Sequence, residues 1–151
     1  MNELDLHIRN EIYSSFVRTG NAPETAETAE TAATLGIEPG EVAAALRRLH
    51  DAHALVLQPD GAALRMLNPF SAVETTYRVE AGGRSWFANC AWDALGIPAA
   101  LHGDGRVESV CPDCAEPLEL EVRDGNLVRG GELLVHFVVP ASRWWDDIGF
   151  T

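Results

Sequence analysis

Cys90 and Asp93, in the stretch SWFANCAWDALGIPAAL, have types and spacing that suit catalysis. A strand is predicted to deliver Asn89 as the N-cap of a short helix, with Cys90 at the first helical position. Residues three apart lie on one helical face, so the sulfur and the carboxyl group are expected to converge on one small substrate. Helix N-terminal amides stabilise a thiolate, which predicts a lowered pKa for Cys90. A thiolate beside a proton donor is a workable catalytic pair.

The competing interpretation of Cys90 is structural. A single cysteine flanked by Phe87, Ala91 and Trp92 is commonly a small buried hydrophobic residue. Taken alone, the stretch favours that interpretation over a catalytic one.

A second thiol motif, CPDC, places Cys111 and Cys114 at a predicted turn between two strands. This spacing is typical of half a zinc knuckle, of a redox pair or of two unrelated thiols. Zinc needs four ligands, and Cys90 with His102 or His136 would complete such a set. The redox interpretation expects a helix start within a βαβ pattern, which is missing here. A soft-metal cluster of all three cysteines stands slightly ahead of a closed zinc site, and an inert turn stays open.

The histidines and tryptophans have structural interpretations. His7, His50 and His53 are predicted as packing or surface residues of a helical region. His136 is predicted as a hydrogen-bonded core residue of an apolar strand. The tryptophans, which are predicted to close a core rather than line a binding site, are Trp86, Trp92, Trp144 and Trp145.

The elements of residues 1–70 follow the order of a winged helix-turn-helix. Apolar residues recur every four positions from Leu4 to Phe16, which predicts a first helix capped by Asp5 and stopped at Gly20. A Glu-Thr-Ala repeat predicts a second helix whose solvent-facing glutamates are Glu24, Glu27 and Glu30. A third helix over 38–53 and a hairpin turning at Pro59-Asp60-Gly61 complete the module.

Residues 71–151 are predicted to form a small mixed domain. TTYRVEA and RSWFAN alternate as a hairpin around Gly82-Gly83, and Pro98 is predicted to end the helix that follows. Further strands are predicted for RVESV, LELEVR, LVRG and ELLVHFVVP, and ASRWWDDIGFT for a terminal helix or ordered tail. The fold class is therefore α+β, with an N-terminal winged-helix-like helical module followed by a small mixed β-sheet and helix domain.

Composition bounds the class of protein. The chain has 151 residues, a formal charge of −12 and three cysteines, too few for a disulfide-stapled secreted fold. No apolar run approaches the roughly 18 residues that span a bilayer. The acidic first residues do not resemble a signal peptide, so we expect a cytoplasmic protein without a membrane partner.

The charge also argues against nucleic acid as a partner. The predicted recognition helix offers only Arg47 and Arg48, and the hairpin tip carries Asp60. A protein that reads DNA should show a basic stripe. The order of elements is therefore interpreted as a packing module.

The stretch FANCAWDALGIPAAL, followed by RVESVCPDC, LELEV and later VHF, resembles the alkylmercury (organomercurial) lyase family. The resemblance covers most of the chain and is strongest over 77–122. It implies that residues 71–151 form an α/β core of the alkylmercury lyase type and that residues 1–70 match the winged-helix-like module before it. It further implies that Cys90 and Asp93 belong to the catalytic set, and that Cys111 matches a cysteine outside that set.

The resemblance also implies a mechanism and one departure from the family pattern. Thiolates capture the soft mercury atom, and the carboxyl group relays a proton from a thiol to carbon as the Hg–C bond breaks, without an organic cofactor. The family's second catalytic cysteine lies shortly before the VHF-like segment, and Glu132 stands at that position here. Either Cys111, Cys114 or Glu132 is expected to take its part, or the scaffold performs related thiolate and carboxylate chemistry on another small substrate.

Two alternatives come from other classes of protein. The first is a non-catalytic protein that holds a soft ion (mercury, zinc or copper) through Cys90, Cys111 and Cys114. The second, less favoured by the charge, is a transcriptional regulator whose winged helix reads DNA.

The regulator alternative predicts that residues 1–70 shift duplex DNA in a salt-sensitive manner. We expect no such shift, because this part of the chain is acidic. The measurement is an electrophoretic mobility shift at low and moderate salt, with the full chain and with residues 1–70. A shift that weakens as salt rises would contradict the expectation.

Overall fold

The computed structural model describes residues 1–21, 27–61 and 63–149. Its α-helices are α1 (Glu3–Thr19), α2 (Glu27–Leu35), α3 (Pro39–Asp51) and α4 (Ala91–Leu101), and a 3-10 helix spans Ala141–Asp146. Its strands are β1 (Val56–Leu57), β2 (Leu64–Leu67), β3 (Phe70–Ser71), β4 (Tyr77–Ala81), β5 (Arg84–Ala88), β6 (Gly105–Val110), β7 (Pro117–Arg123) and β8 (Asn126–Arg129). The fold is α+β, with an N-terminal helical part and an antiparallel sheet. Of the Glu-Thr-Ala repeat, Glu24 and the side chains of Glu27 and Glu30 lie outside the described part.

Helix α1 begins with a capping box rather than with Asp5 as the cap. Asn2 is the N-cap, its side chain accepts from the Asp5 backbone N–H at 2.9 Å, and the Asp5 carboxylate accepts from the Asn2 N–H at 2.9 Å. The Asp5 side chain is buried and receives the Arg48 Nε of α3 at 3.1 Å. This hydrogen bond, together with the one from the Asn2 N–H, holds the pKa of Asp5 below its usual range. The ion pair therefore ties α1 to α3.

The end of helix α1 contacts strand β5. The helix stops at Gly20, as predicted; Gly20 has a left-handed conformation, and its N–H donates to the Phe16 carbonyl at 2.9 Å. The buried Trp86 of β5 donates its indole N–H to the same carbonyl at 2.6 Å. The helical part is therefore hydrogen-bonded to the sheet that leads to Cys90.

A single sheet crosses the predicted boundary near residue 70. Its strand order is β1-β2-β3-β5-β4-β6-β7-β8, and neighbouring strands are antiparallel. The short strand β3, which the sequence pattern does not predict, pairs Phe70 with Leu67 on β2 and with Ala88 on β5. The predicted wing hairpin and the hairpin before Cys90 are therefore parts of one sheet.

Helix α4 continues through Pro98, so the prediction that this proline ends the helix is wrong. The helix reaches Leu101, with His102 as its left-handed C-cap. Pro98 is fully buried against Gly105, where an added Cβ would lie 2.5 Å from the proline Cγ. Burial of the ring against β6 compensates for the helical hydrogen bond that a proline cannot donate.

The apolar run ELLVHFVVP is not a strand, which corrects a second prediction. Gly130 has a φ of 87°, and a Cβ there would lie 3.1 Å from the Glu119 carbonyl oxygen, so the chain turns tightly after β8. Residues 131–140 then run without regular structure, and Leu134 is 94% exposed. His136 is likewise exposed rather than in the core. An apolar run therefore does not form a strand where the chain turns away from the sheet.

The prediction that the tryptophans close a core is confirmed for some of them and wrong for others. Trp86 is buried, whereas Trp92 is 66% exposed and does not close a core. Trp145 stacks on His53, with ring centroids 4.0 Å apart. His53 itself lies beyond α3 and is exposed, because the helix ends two residues earlier.

The predicted terminal element is confirmed as the 3-10 helix. Within the described residues, no helix is long and apolar enough to cross a membrane.

The contact between α1 and β5 gives a stability prediction. A Cβ on Gly20 would lie 2.7 Å from the Ser85 carbonyl oxygen, whereas nothing lies within 4 Å of a Cβ on Gly36. Both glycines have positive φ, so either alanine variant carries about 1–2 kcal/mol of left-handed strain. Gly20→Ala should lower the free energy of unfolding by about 1–3 kcal/mol more than Gly36→Ala, because the added methyl group forces the backbone at Ser85 or at residue 20 to move. Urea unfolding measures both variants, and equal losses would contradict the close approach.

Candidate active site

The chain enters the candidate site as strand β5 gives way to helix α4. Cys90 itself is the N-cap, with an extended backbone (φ −151°, ψ 179°), and its carbonyl accepts from the Ala94 N–H at 2.9 Å. The prediction of Asn89 as the cap is therefore wrong by one residue. Cys90 still lies at the helix N-terminus, one turn before Asp93.

Cys90 and Asp93 converge as the spacing predicts. The thiol Sγ donates to Asp93 Oδ2 across 3.6 Å, and Asn89 Nδ2 donates to the same oxygen at 3.2 Å. Asn89 Nδ2 also lies 3.5 Å from the Phe70 carbonyl oxygen of β3. The carboxyl group is therefore held between the candidate nucleophile and an amide that is itself tied to the sheet.

Burial dominates the electrostatics of the pair. It raises the pKa of the Cys90 thiol, although the backbone N–H groups of Asp93 and Trp92 favour the thiolate; the neighbouring Asp93 carboxylate raises it further. The predicted lowering of the Cys90 pKa is therefore wrong, because desolvation outweighs the helix N-terminus. Burial also raises the pKa of Asp93, against hydrogen bonds from Asn89 and Cys90. The pair keeps a proton on sulfur and makes the carboxylate a good proton acceptor.

Cys90 lies between two cavities. The smaller, of about 380 Å³, also contacts Asp93 and is walled by Trp92, Phe137 and Trp144. The larger, of about 430 Å³, contacts Cys90 and Cys111. The segment Leu133–Val138, which is apolar except for His136, lines this larger cavity. Substrate-sized space therefore adjoins the thiol on both sides.

Cys111 and Cys114 meet at the turn between β6 and β7. The backbone N–H groups of Cys114 and Asp113, and the Cys114 thiol, donate hydrogen bonds to the Cys111 sulfur and lower its pKa. Cys111 is half-buried and Cys114 is exposed, and both are free thiols. Cys111 contacts the larger cavity, and Cys114 contacts neither cavity beside Cys90.

Comparison with known proteins decides the family. A family model described as alkylmercury lyase (MerB) matches residues 70–151, more than half of the chain. The chain belongs to the alkylmercury lyase family. Its fold is similar to the crystal structure of the mercury-bound form of MerB2, with a TM-score of 0.65 and 26% sequence identity over 85% of this chain. The match covers 60% of the MerB2 chain. Among curated proteins, none matches this chain.

The remaining predicted ligands of this alkylmercury lyase family member do not form a metal site with Cys90 in the described residues, although Cys111 and His136 line the same larger cavity. Across residues 1–21, 27–61 and 63–149, no three His, Cys, Asp or Glu side chains are arranged to hold a metal ion. The three cysteines thus form no single cluster, and neither His102 nor His136 completes a zinc set. Glu132, which the resemblance to the family predicts as a substitute for a catalytic cysteine, is exposed and contacts neither cavity.

Three side chains at the site escaped prediction as site residues. Asn89 is predicted from the sequence only as a cap; its place directly before the N-cap of α4 is the signal that its side chain can reach back to Asp93. Tyr77 lies across the β4–β5 pair and contacts the larger cavity; burial and the neighbouring Cys90 raise its pKa. Phe137 contacts both cavities, and only the turn at Gly130 brings it there.

The buried Asp93 gives a prediction about stability and pH. Its folded pKa lies above the ordinary value of 3.8, so the carboxylate costs stability as pH rises through the folded pKa. Asp93→Asn cannot ionise and should raise Tm at neutral pH. The difference from wild type should shrink in acid, where both side chains are neutral.

Thermal unfolding between about pH 3.5 and 8 measures this difference. The exposed Glu74→Gln is the matched control for removal of one negative charge, and it should show little dependence on pH. A destabilised Asp93→Asn at neutral pH would contradict the assignment of burial as the dominant influence on Asp93.

Proposed function

We propose that this chain cleaves the carbon–mercury bond of small organomercurials by protonolysis, with Cys90 binding mercury and Asp93 carrying the proton. The supporting observation is the hydrogen bond between Cys90 Sγ and Asp93 Oδ2, 3.6 Å apart, beside a cavity in a member of the alkylmercury lyase family. The chain spans 60% of the mercury-bound MerB2 chain.

The first step binds the substrate. The Cys90 sulfur forms a bond to mercury and displaces the substrate's other ligand as an anion. Binding a metal removes the thiol proton even where burial has raised its pKa. Asp93 accepts this proton because it already receives the thiol hydrogen bond and because burial raises its pKa. The negative charge thus leaves the site with the displaced anion.

The second step breaks the carbon–mercury bond. Asp93 donates the proton to the carbon, and the electron pair of the Hg–C bond forms the new C–H bond. The hydrocarbon leaves, Asp93 returns to the carboxylate, and mercury stays on the Cys90 sulfur without any change of oxidation state. A buried acid with a raised pKa suits this general-acid step.

The surroundings support an apolar organic group on mercury. The smaller cavity adds Met66 and Ile148 to the aromatic side chains that wall it beside Asp93. Asn89 is assigned as a positioning residue, because it binds Asp93 Oδ2 and has no thiol or acid to contribute. No organic cofactor takes part in either step.

We also propose that the helices and first hairpin, in winged-helix order, act as a packing scaffold for this core. The hydrogen bond from Trp86 to Phe16 and the Phe70 strand support this role. The free thiols suit a reducing compartment such as the cytoplasm.

The test follows benzene released from phenylmercury in excess small-molecule thiol, by headspace gas chromatography. Cys90→Ser should abolish release, because serine is a poor ligand for soft mercury. Asp93→Asn should slow release roughly 10²–10⁴-fold, the contribution of a general acid. Asn89→Ala should act through Asp93 and lower kcat more than it raises KM.

The control is Glu132→Gln, which alters a carboxyl group outside both cavities and should keep the wild-type rate. Absence of benzene with the wild type would overturn the proposed function. Equal rates for wild type and Cys90→Ser would overturn the role of the thiol.

A further inference from the structure

The pair formed by Cys111 and Cys114 lies outside the catalytic pair and has no part in either step above. The two cysteines are three positions apart in the turn that joins β6 to β7, so one end of the hairpin carries both thiols. Cys111 is half-buried and Cys114 is exposed.

The turn holds this geometry firmly. The Cys111 N–H donates to the Glu116 carbonyl at 2.8 Å, and its carbonyl accepts from the Ala115 N–H at 2.9 Å. The antiparallel β6–β7 ladder continues directly to Val110 and Pro117. Both thiols are therefore presented from the closed end of a hairpin rather than from a loose loop.

The number of ligands selects the kind of ion. Structural zinc takes four ligands, and no third His, Cys, Asp or Glu joins the two thiols in the part of the chain that the structure describes. Hg(II) binds sulfur strongly, and two thiolates in a linear arrangement complete its coordination. Softness of the sulfur ligands favours the same ion.

The larger cavity connects this pair with Cys90. Cys90 and Cys111 both contact that cavity, with Tyr77 and Phe137 also on its wall. An ion left on the Cys90 sulfur therefore shares a cavity with a second thiol. Cys114 lies beyond Cys111, at the exposed end.

We propose that Cys111 and Cys114 form a two-thiolate site that receives the Hg(II) product from Cys90. This inference rests on the proposed function for the source of the ion. The Cys111 thiol binds mercury on Cys90 and releases its proton to solvent. The Cys114 sulfur then replaces the Cys90 sulfur on mercury, and the Cys114 proton passes to Cys90. Mercury ends between Cys111 and Cys114, and Cys90 is again a thiol, with no oxidation or reduction.

Three variants that each retain two thiols test the site: Cys90→Ser, Cys111→Ser and Cys114→Ser. Each full-length protein is loaded with one equivalent of mercuric chloride, challenged with increasing 2-mercaptoethanol, desalted and assayed for mercury by mass spectrometry. Cys90→Ser should retain mercury like the wild type. Cys111→Ser should release it at roughly 100-fold lower challenge concentration, because it loses the effective concentration of a paired ligand. Cys114→Ser, which keeps only the transient bridge between Cys90 and Cys111, should release it at a concentration between those of Cys111→Ser and the wild type.

This binding test needs no turnover, so its result is independent of the benzene assay. Loss of mercury from Cys90→Ser, or wild-type retention by Cys114→Ser, would overturn the paired site even if benzene is released. Circular dichroism and Tm confirm that each variant is folded before loading.

The transfer step has its own measurement. Wild type receives one equivalent of phenylmercury without added thiol, and after benzene release the free cysteine is alkylated with iodoacetamide and identified by peptide mass spectrometry. Alkylation at Cys90 supports transfer. Alkylation at Cys114 with Cys90 protected would overturn it. In Cys114→Ser, mercury should stay on Cys90 and block its alkylation.

Discussion

The packing of Phe70 is the constraint on which the rest of the structure depends. Its ring is fully buried, with centroids 5.2 Å from Phe16 of α1 and 6.1 Å from Trp86 of β5. Its backbone joins β2 to β5, and its carbonyl receives the Asn89 side chain. One residue therefore couples the helical part, the sheet and the amide that holds Asp93. The helical part therefore supports the site structurally, although it supplies no reacting group.

Burial at the start of α4 sets the chemistry of the site. A thiol with a depressed pKa would carry a negative charge at rest, whereas Cys90 keeps its proton and shares it with Asp93. That arrangement suits protonolysis, because the proton displaced by the metal is the one that carbon later needs. The same burial means that the charged Asp93 lowers the stability of the fold. Such a loss of stability in exchange for activity is common at catalytic groups.

The C-terminal segment shapes the surroundings of the pair. After Gly130 the chain leaves the sheet edge, and its apolar residues line the larger cavity. Phe137 separates the space beside Asp93 from the space that reaches Cys111. One thiol thus faces two compartments, one suited to an apolar substituent and one that leads to a second pair of thiols.

The sequence by itself determined the local elements and the catalytic pair. Apolar periodicity set α1, the glycine turns set the hairpins, and a spacing of three brought Cys90 to Asp93, because these features depend on neighbours along the chain. Only the tertiary structure decided the pKa of Cys90, the continuity of the helix through Pro98, the exposure of His136 and the distance of Glu132 from the site. Each of these depends on contacts made elsewhere in the chain: desolvation by the core, a proline ring against Gly105, or the turn at Gly130 that takes the chain away from the sheet.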